Sequence, residues 1–188
     1  MLALPSREAL RRALGGAASA SSSRASRAAA VSVVIHEADA ALSILLIERA
    51  QRATDPWSGH MALPGGHYES RDVDLRATAE RETREEVGLD LTLVDLLGSL
   101  PERPPAHTTE LSIQPFVYWL FTRPELRLNH EVSAAIWVPL APLARGEHRA
   151  EFTFQGKLFP AWDIDGRIVW GFTYRVLAEL LSALSSQS

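Results

Sequence analysis

Three glutamates, Glu82, Glu85 and Glu86, lie at helical spacing within the segment Arg81–Gly88. Side chains three or four positions apart on an α-helix lie on the same face, so a helix here would bring these carboxylates together. Such like-charge pairs each destabilise an isolated helix by about 0.2–0.5 kcal/mol. A divalent cation between the carboxylates would remove that repulsion, and ligands that are all oxygen suit Mg²⁺ or Mn²⁺. The spacing therefore indicates a Mg²⁺ or Mn²⁺ site.

The same charges also fit a solvated helix face on which Arg81 and Arg84 form surface ion pairs. Two features favour the metal site over that alternative. The order Arg-Glu-x-x-Glu-Glu-x-Gly is highly specified, and a double glycine, Gly65-Gly66, precedes it. A residue without Cβ lets the backbone approach a ligand closely, and the N-terminus of a following helix favours an anion such as a diphosphate.

This stretch resembles the Nudix box, the signature of the Nudix hydrolases. The family pattern is a Gly, five residues, a Glu, seven residues and then Arg-Glu-x-x-Glu-Glu-x-Gly. The second half matches in full from Arg81 to Gly88. In the first half, Asp72 stands where the pattern has Glu, and eight residues separate Asp72 from Arg81. A similar longer form occurs in Nudix enzymes that resemble coenzyme A diphosphatases.

The resemblance implies a role for each matching residue of the box. The metal ligands would be Glu82, Glu85 and Glu86, with the carbonyl oxygen of Gly66 also able to reach the cation. Arg81 would orient one of the glutamates. The glycine pair, Gly65 and Gly66, would let the backbone approach the substrate.

Candidates outside the box come from weaker patterns. Glu131 resembles a distal catalytic or metal-binding glutamate, although an exposed loop acid fits equally well, and the general base stays open between Glu85 and Glu131. Arg49 resembles a substrate-phosphate arginine, and Arg52 is a second candidate for that role. Two loop histidines could bind phosphate or act as bases, but lone loop histidines are usually only solvated: His107 and His130.

Two flanking segments point to the substrate. The stretch from Arg49 to Gly66 resembles the upstream motif of coenzyme A diphosphatases, although Leu63 stands where that motif usually has Phe. Ile168–Thr173 resembles their closing segment. The resemblance implies hydrolysis of the diphosphate in coenzyme A or acyl-CoA. ADP-ribose, a dinucleotide or a nucleotide sugar is the alternative substrate, and an inactive nucleotide-binding sensor is the alternative of another class.

Composition limits the other possibilities. The chain has 188 residues, a formal net charge of −4 and no cysteine. The negative charge gives no electrostatic grip on nucleic acid, and the absence of cysteine excludes disulfides and thiolate chemistry. No apolar run reaches the roughly 18 residues of a membrane-spanning helix. We therefore expect a cytoplasmic protein, a monomer or homodimer, whose partner is a small nucleotide diphosphate.

The first part of the chain is expected to differ from the rest. Residues 4–14 predict a short amphipathic helix capped by Ser6, and residues 15–29 predict a flexible linker rich in Gly, Ala and Ser. The Arg-rich, acid-poor character of this segment also fits a transit peptide. A helix and linker over residues 1–29 is the interpretation we prefer, followed by a Nudix domain over residues 30–188.

Within that domain the sequence predicts strands and two main helices, and the resemblance implies an α/β/α sandwich around a mixed β-sheet. Residues 90–100 are predicted to form one strand with Leu91, Leu93 and Leu96 in the core. Pro115 predicts that the following apolar strand is an edge strand or carries a bulge. The predicted strands are 30–36, 43–48, 60–63, 90–100, 111–121 and 134–138, with a hairpin of 151–162 and 167–170 around Asp165-Gly166; the main helices are 74–87 and 172–184.

Overall fold

The computed structural model describes residues 6–15, 27–52, 57–105 and 110–185. Four helices separate groups of three or four consecutive strands along these ranges, with a short 3₁₀ turn at Leu91–Leu93. The helices are α1 Arg7–Ala13, α2 Leu75–Val87, α3 Leu140–Ala144 and α4 Gly171–Ser185. The strands are β1 Arg27–Ala38, β2 Ala41–Arg49, β3 Met61–Ala62, β4 Gly65–His67, β5 Asp95–Ser99, β6 Leu111–Leu120, β7 Val132–Pro139, β8 Arg149–Phe154, β9 Lys157–Ile164 and β10 Arg167–Trp170.

Within the described residues, seven strands form one mixed sheet. The order is β3-β2-β1-β6-β5, with β4 also paired to β1 and β7 to β2. Strands β1 and β6 run parallel, with Val33 opposite Val117, whereas β1 and β2 are antiparallel. Strand β1 is buried over most of its length, which is why its sequence is a continuous apolar run rather than an alternating one.

Both faces of this sheet are covered. Successive side chains of a strand point to opposite faces, and β2 shows the consequence. Ile44 and Leu46 belong to the core cluster that includes α4, whereas Leu45 and Ile47 belong to the cluster that includes residues of α2. The predicted α/β/α sandwich around a mixed sheet is therefore confirmed.

A smaller antiparallel sheet of β8, β9 and β10 extends this architecture. Its turn at Asp165-Gly166 joins β9 to β10, as predicted, but residues 151–162 form parts of two strands rather than one. Trp162 and Val169 of this small sheet pack in the core cluster that includes α4. This sheet places Trp170 at the start of α4, beside the region that the site occupies.

Two sequence predictions about the middle of the chain are wrong. Leu93 is 86% exposed, because Asp90 caps a 3₁₀ turn that interrupts the predicted strand. Of the two alternatives predicted for the strand with Pro115, the edge is wrong, since β6 lies between β1 and β5, whereas a register shift does interrupt its pairing with β5, between Leu96 and Gly98. Pro115 is tolerated because its carbonyl accepts from Leu100. Its missing N–H therefore faces the side on which β5 has already ended, at Ser99.

The N-terminal helix forms as predicted, with the Ser6 hydroxyl accepting from Ala9 N. Leu10 is fully buried in the α4 core, and both Arg7 and Arg11 pair with Asp95. Strand β1 begins at Arg27, before the predicted domain boundary at residue 30. Most of the predicted linker lies outside the described residues. No helix in the described ranges is long and apolar enough to cross a membrane.

Candidate active site

Helix α2 carries the box glutamates, and both of its ends are fixed by the sequence. The Asp74 side chain accepts from Ala77 N at the start, and Gly88, with φ +72°, ends the helix in the left-handed conformation. On the buried side, the Thr83 hydroxyl donates to Ser32 Oγ at 2.8 Å. This contact joins the helix to β1, so the position of the glutamates relative to the sheet is set by buried groups.

The glycine loop packs directly against these glutamates. A Cβ on Gly65, which has φ +150°, would overlap the carbonyl oxygen of Ala30. A Cβ on Gly66 would lie 2.5 Å from the Glu82 carboxyl carbon. Position 65 therefore requires glycine, whereas a side chain at position 66 would have to displace the Glu82 carboxylate, which shows how closely the loop and this carboxylate lie.

Glu86 is the most buried of the three glutamates, with 4% of its surface exposed. Its Oε2 accepts from Gly65 N at 2.9 Å. Burial raises the pKa of Glu86 to about 8, and the nearby charges of Glu82 and Glu131 add to the rise. Burial likewise raises the pKa of Glu82. The two carboxylates thus lie together in a place where their charges lack full compensation from the protein.

Arg81 organises the cluster from within the fold. Its Nε and Nη2 donate to the two oxygens of Asp72 at 2.8 and 3.0 Å. Its Nη1 contacts Glu82 at 2.9 Å and Glu85 at 3.2 Å, and Nη2 also donates to the carbonyl of His67. The guanidinium holds the pKa of Asp72 at about 2. Arg81 therefore contacts two glutamates, and Asp72 anchors it.

Glu85 differs from its neighbours because it is accessible. Its carboxylate pairs with Arg71 at 3.2 Å as well as with Arg81. Among the described residues, no three carboxylate or imidazole groups are arranged closely enough to hold a metal ion. The donors nevertheless suit Mg²⁺ or Mn²⁺, because Glu82 and Glu86 are neighbouring carboxylates whose charges the protein compensates only in part, and the loop at Gly66 is in contact with Glu82. Glu85 would have to leave its arginines to join them.

Glu131 lies beside this cluster, although it is distant in sequence. Its carbonyl accepts from Ala50 N at 2.8 Å, and its carboxylate pairs with Arg52 at 3.0 Å. Its charge acts on Glu82 and Glu86, as the pKa directions of both show. Glu131 thus lies near the box glutamates, and Arg52 forms an ion pair with Glu131.

The remaining candidates fall into different places. Arg49 ends β2, and its charge opposes the rise in the pKa of Glu86. It therefore acts on the carboxylates from the strand side. His130 is exposed, and no hydrogen bond in the described part of the chain connects it to the cluster. His107 lies outside the described residues.

A cavity of about 450 Å³ adjoins the glycine loop. It receives both flanking segments that the sequence singled out, because Arg49, Leu63 and Gly65 line it together with Trp170 and Thr173. The other lining residues are Arg27, Val31, Trp57, His60, Met61, Ala62, His67, Pro105, Glu110, Leu111, Ile113, Gly171 and Phe172.

Aromatic side chains build one wall of the cavity, and sequence reasoning did not assign them a role. Trp57 stacks on Phe154 with ring centroids 5.1 Å apart, and His60 lies edge-on to Trp170 at 5.3 Å. Phe152 also packs on Trp170, at 4.8 Å. Trp170 belongs to the closing segment Ile168–Thr173. The others carry no local signal, because three separate segments meet to form the wall.

Comparison with known families decides the identity of this arrangement. A NUDIX domain model matches residues 26–161. The chain belongs to the Nudix hydrolase family. The matched range includes the whole segment that resembles the Nudix box, within which Asp72 forms an ion pair with Arg81.

Several curated proteins resemble this Nudix chain. An uncharacterised protein of Schizosaccharomyces pombe is 46% identical over 53% of this chain and 32% of its own length. Nudix hydrolase 15, mitochondrial, of Arabidopsis thaliana is 31% identical over 83% of this chain and 58% of its own. An uncharacterised Nudix hydrolase of Salmonella paratyphi B, NudL, is 34% identical over 65% and 66%. The chain spans less than two thirds of the length of these relatives.

Solved structures share the Nudix fold at lower identity. RenU, a Nudix hydrolase of M. smegmatis, is 21% identical with a TM-score of 0.52 over 63% of this chain and 73% of its own. An Ap4A hydrolase of C. elegans is 19% identical with a TM-score of 0.50 over 63% and 84%. These similarities concern the fold.

Proposed function

We propose that this Nudix protein uses Mg²⁺ or Mn²⁺ to hydrolyse the diphosphate of a nucleoside diphosphate linked to another group, and that its substrate is coenzyme A or an acyl-CoA. One observation carries the substrate assignment. The two segments that resemble coenzyme A diphosphatases, from Arg49 to Gly66 and from Ile168 to Thr173, are far apart in sequence yet line a single cavity beside the glycine loop.

The residues of the box supply the reaction centre in this proposal. Glu82 and Glu86 would hold the cation, with the carbonyl of Gly66 close by, because the pKa of both carboxylates is raised and their charges lack full compensation. A bound divalent cation offsets charge on the phosphate oxygens and lowers the pKa of water. Glu85 and Glu131 are the two candidates for the general base, since both are partly exposed acids next to the pair.

The cavity accounts for the rest of the substrate. Arg49 lines the cavity and its charge also acts on Glu86, so it would be available to a phosphate oxygen of the substrate. Val31, Leu63 and Ile113 provide apolar lining that suits a pantetheine arm or acyl chain. Small-molecule sites typically measure about 300–1,000 Å³ and combine such apolar walls with a few polar groups.

Other diphosphates use the same chemistry and remain the second candidate. ADP-ribose, a dinucleotide or a nucleotide sugar presents the same linkage to the box, and the C. elegans structure with this fold is described as an Ap4A hydrolase. The aromatic rings of Trp57 and Trp170 could stack on the base of any of these substrates, including the adenine of coenzyme A, so the panel below has to separate them. An inactive sensor is disfavoured by the retention of all three box glutamates.

A substrate panel tests the proposal. Coenzyme A, acetyl-CoA, ADP-ribose, NADH and UDP-glucose are incubated with the protein and Mg²⁺ or Mn²⁺, and products are resolved by mass. We expect 3′,5′-ADP and 4′-phosphopantetheine from coenzyme A, with the highest kcat/KM for the two coenzyme A substrates. ADP-ribose cleaved at least tenfold more efficiently would overturn the coenzyme A assignment, and cleavage of none would overturn the proposed activity.

A further inference from the structure

The ion pair between Arg52 and Glu131 lies next to the box glutamates. Arg52 Nη2 is 3.0 Å from Glu131 Oε1, and both side chains are 43% exposed. We propose that Arg52 is a positioning residue that restrains the Glu131 carboxylate in the free protein, and that a phosphate group of the substrate releases this carboxylate by binding Arg52. The inference rests on the proposed function in one respect, namely that the substrate carries a phosphate group.

The backbone is held at both ends of this ion pair. The Ser58 hydroxyl accepts from Arg52 N at 2.8 Å and donates to Arg52 O at 2.9 Å. Glu131 N donates to Asn129 Oδ1, and Glu131 O accepts from Ala50 N, both at 2.8 Å. Because both main-chain positions are fixed, a change of partner requires only the two side chains to move.

The loop that carries Glu131 is attached to the end of α2. Arg127 N donates to Val87 O at 2.9 Å, and Asn129 N donates to Glu86 O at 3.0 Å. These bonds explain why the Glu131 charge is felt by the buried glutamates although the residues are far apart in sequence. A Glu131 carboxylate released from Arg52 therefore stands ready beside them, as an oxygen ligand for the cation or as an acceptor for a proton.

Phosphate is suited to break this ion pair. Exposed arginine–carboxylate pairs are weak, since solvent screens them and ordering two long side chains costs entropy. A phosphate offers the guanidinium more negative charge and two oxygens in the geometry of its fork. Replacement of the Glu131 carboxylate by a phosphate as the partner of Arg52 is thus favourable. Substrate binding would therefore make the Glu131 carboxylate available.

The coupling between Arg52 and Glu131 is measured by comparing four proteins: the unaltered chain, Arg52→Ala, Glu131→Gln and the double variant. Mn²⁺ alone is titrated into each by calorimetry. We expect Arg52→Ala to bind Mn²⁺ about threefold more tightly than the unaltered chain, the scale of an exposed ion pair, and no such gain when Glu131 is already Gln. An equal gain in both backgrounds would reflect general charge alone and would overturn the inference, as would no gain in either.

The substrate side is tested with methylene diphosphonate, which is not hydrolysed, in the absence of metal. Glu131→Gln frees Arg52, so we expect this variant to bind the diphosphonate about threefold more tightly than the unaltered chain, with the gain abolished by Arg52→Ala. Equal gains with and without Arg52 would contradict the exchange of partners.

Arg145 provides a matched control, because it forms an ion pair of similar exposure with Glu147, just after the end of α3. Arg145→Ala should leave both affinities unchanged. Neither titration depends on turnover, so a failure of the proposed activity on the substrate panel is distinguishable from a failure of the coupling.

Discussion

Replacing Glu86 by Gln is expected to lower kcat at least about a hundredfold, which is typical of the loss of one major electrostatic group in an active site. The amide keeps the size of the side chain, and its oxygen can still accept from Gly65 N. Only the negative charge that would face the cation is removed. Steady-state kinetics at saturating substrate and Mg²⁺ measures the effect, with Glu82→Gln expected to behave in the same way.

The loss of activity indicates a catalytic role only if the variant is folded. Thermal unfolding of Glu86→Gln should occur at no lower temperature than that of the unaltered chain, because a neutral group of similar shape replaces a carboxylate whose raised pKa marks its buried charge as destabilising. Glu80→Gln is the matched control, since Glu80 lies on the same helix but pairs with Arg76 and Tyr118. Near-normal turnover of the Glu82 and Glu86 variants together with unchanged metal affinity would contradict the assignment.

Asp72→Ala is expected to lower the free energy of unfolding by about 3–5 kcal/mol, the usual cost of removing one partner from a buried ion pair. Arg81 would keep its buried charge but lose both bonds to Asp72. The contacts of Arg81 with Glu82 and Glu85 would not replace the lost bonds, because both are made by Nη1, whereas Asp72 binds Nε and Nη2. Denaturant unfolding at neutral pH measures the loss.

The pH dependence of this loss has a definite sign. Arg81 lowers the pKa of Asp72 from 3.8 to about 2 in the folded protein. The stabilisation is therefore complete above about pH 4 and is lost as the pH falls through 2. The difference between Asp72→Asn and the unaltered chain should shrink over this range. Glu147→Ala, which breaks an exposed ion pair, should cost less than about 1 kcal/mol; an equally small cost for Asp72→Ala would contradict a structural role for the buried pair.

Helix α2 could be predicted from the sequence because its information is local. An aspartate cap, a terminal glycine and helical spacing fix a segment predicted at 74–87 and found at Leu75–Val87. The fold class followed from the family resemblance. Asp72 is recognisable in the sequence as a substituted box residue, but its ion pair with Arg81 is a contact that no local rule encodes.

Predictions failed where long-range contacts decide. Leu93 fits an apolar alternation, yet a 3₁₀ turn ahead of β5 turns it to solvent. Pro115 lies in an interior strand, which prolines usually avoid. It disrupts no strand pairing there because its missing N–H faces the end of β5. The aromatic wall and the Arg52–Glu131 pair each join distant segments, so spacing along the chain could not indicate them.

Diffraction from crystals soaked in Mn²⁺ tests the central claim most directly, because anomalous scattering locates the ion independently of any assay. Glu82 and Glu86 share a face of α2 against the loop of Gly66. We predict an anomalous peak bonded to carboxylate oxygens of both glutamates and lying next to the Gly66 carbonyl. A peak elsewhere, or none at Mn²⁺ concentrations that support hydrolysis, would contradict the assignment of this helix face as the metal centre.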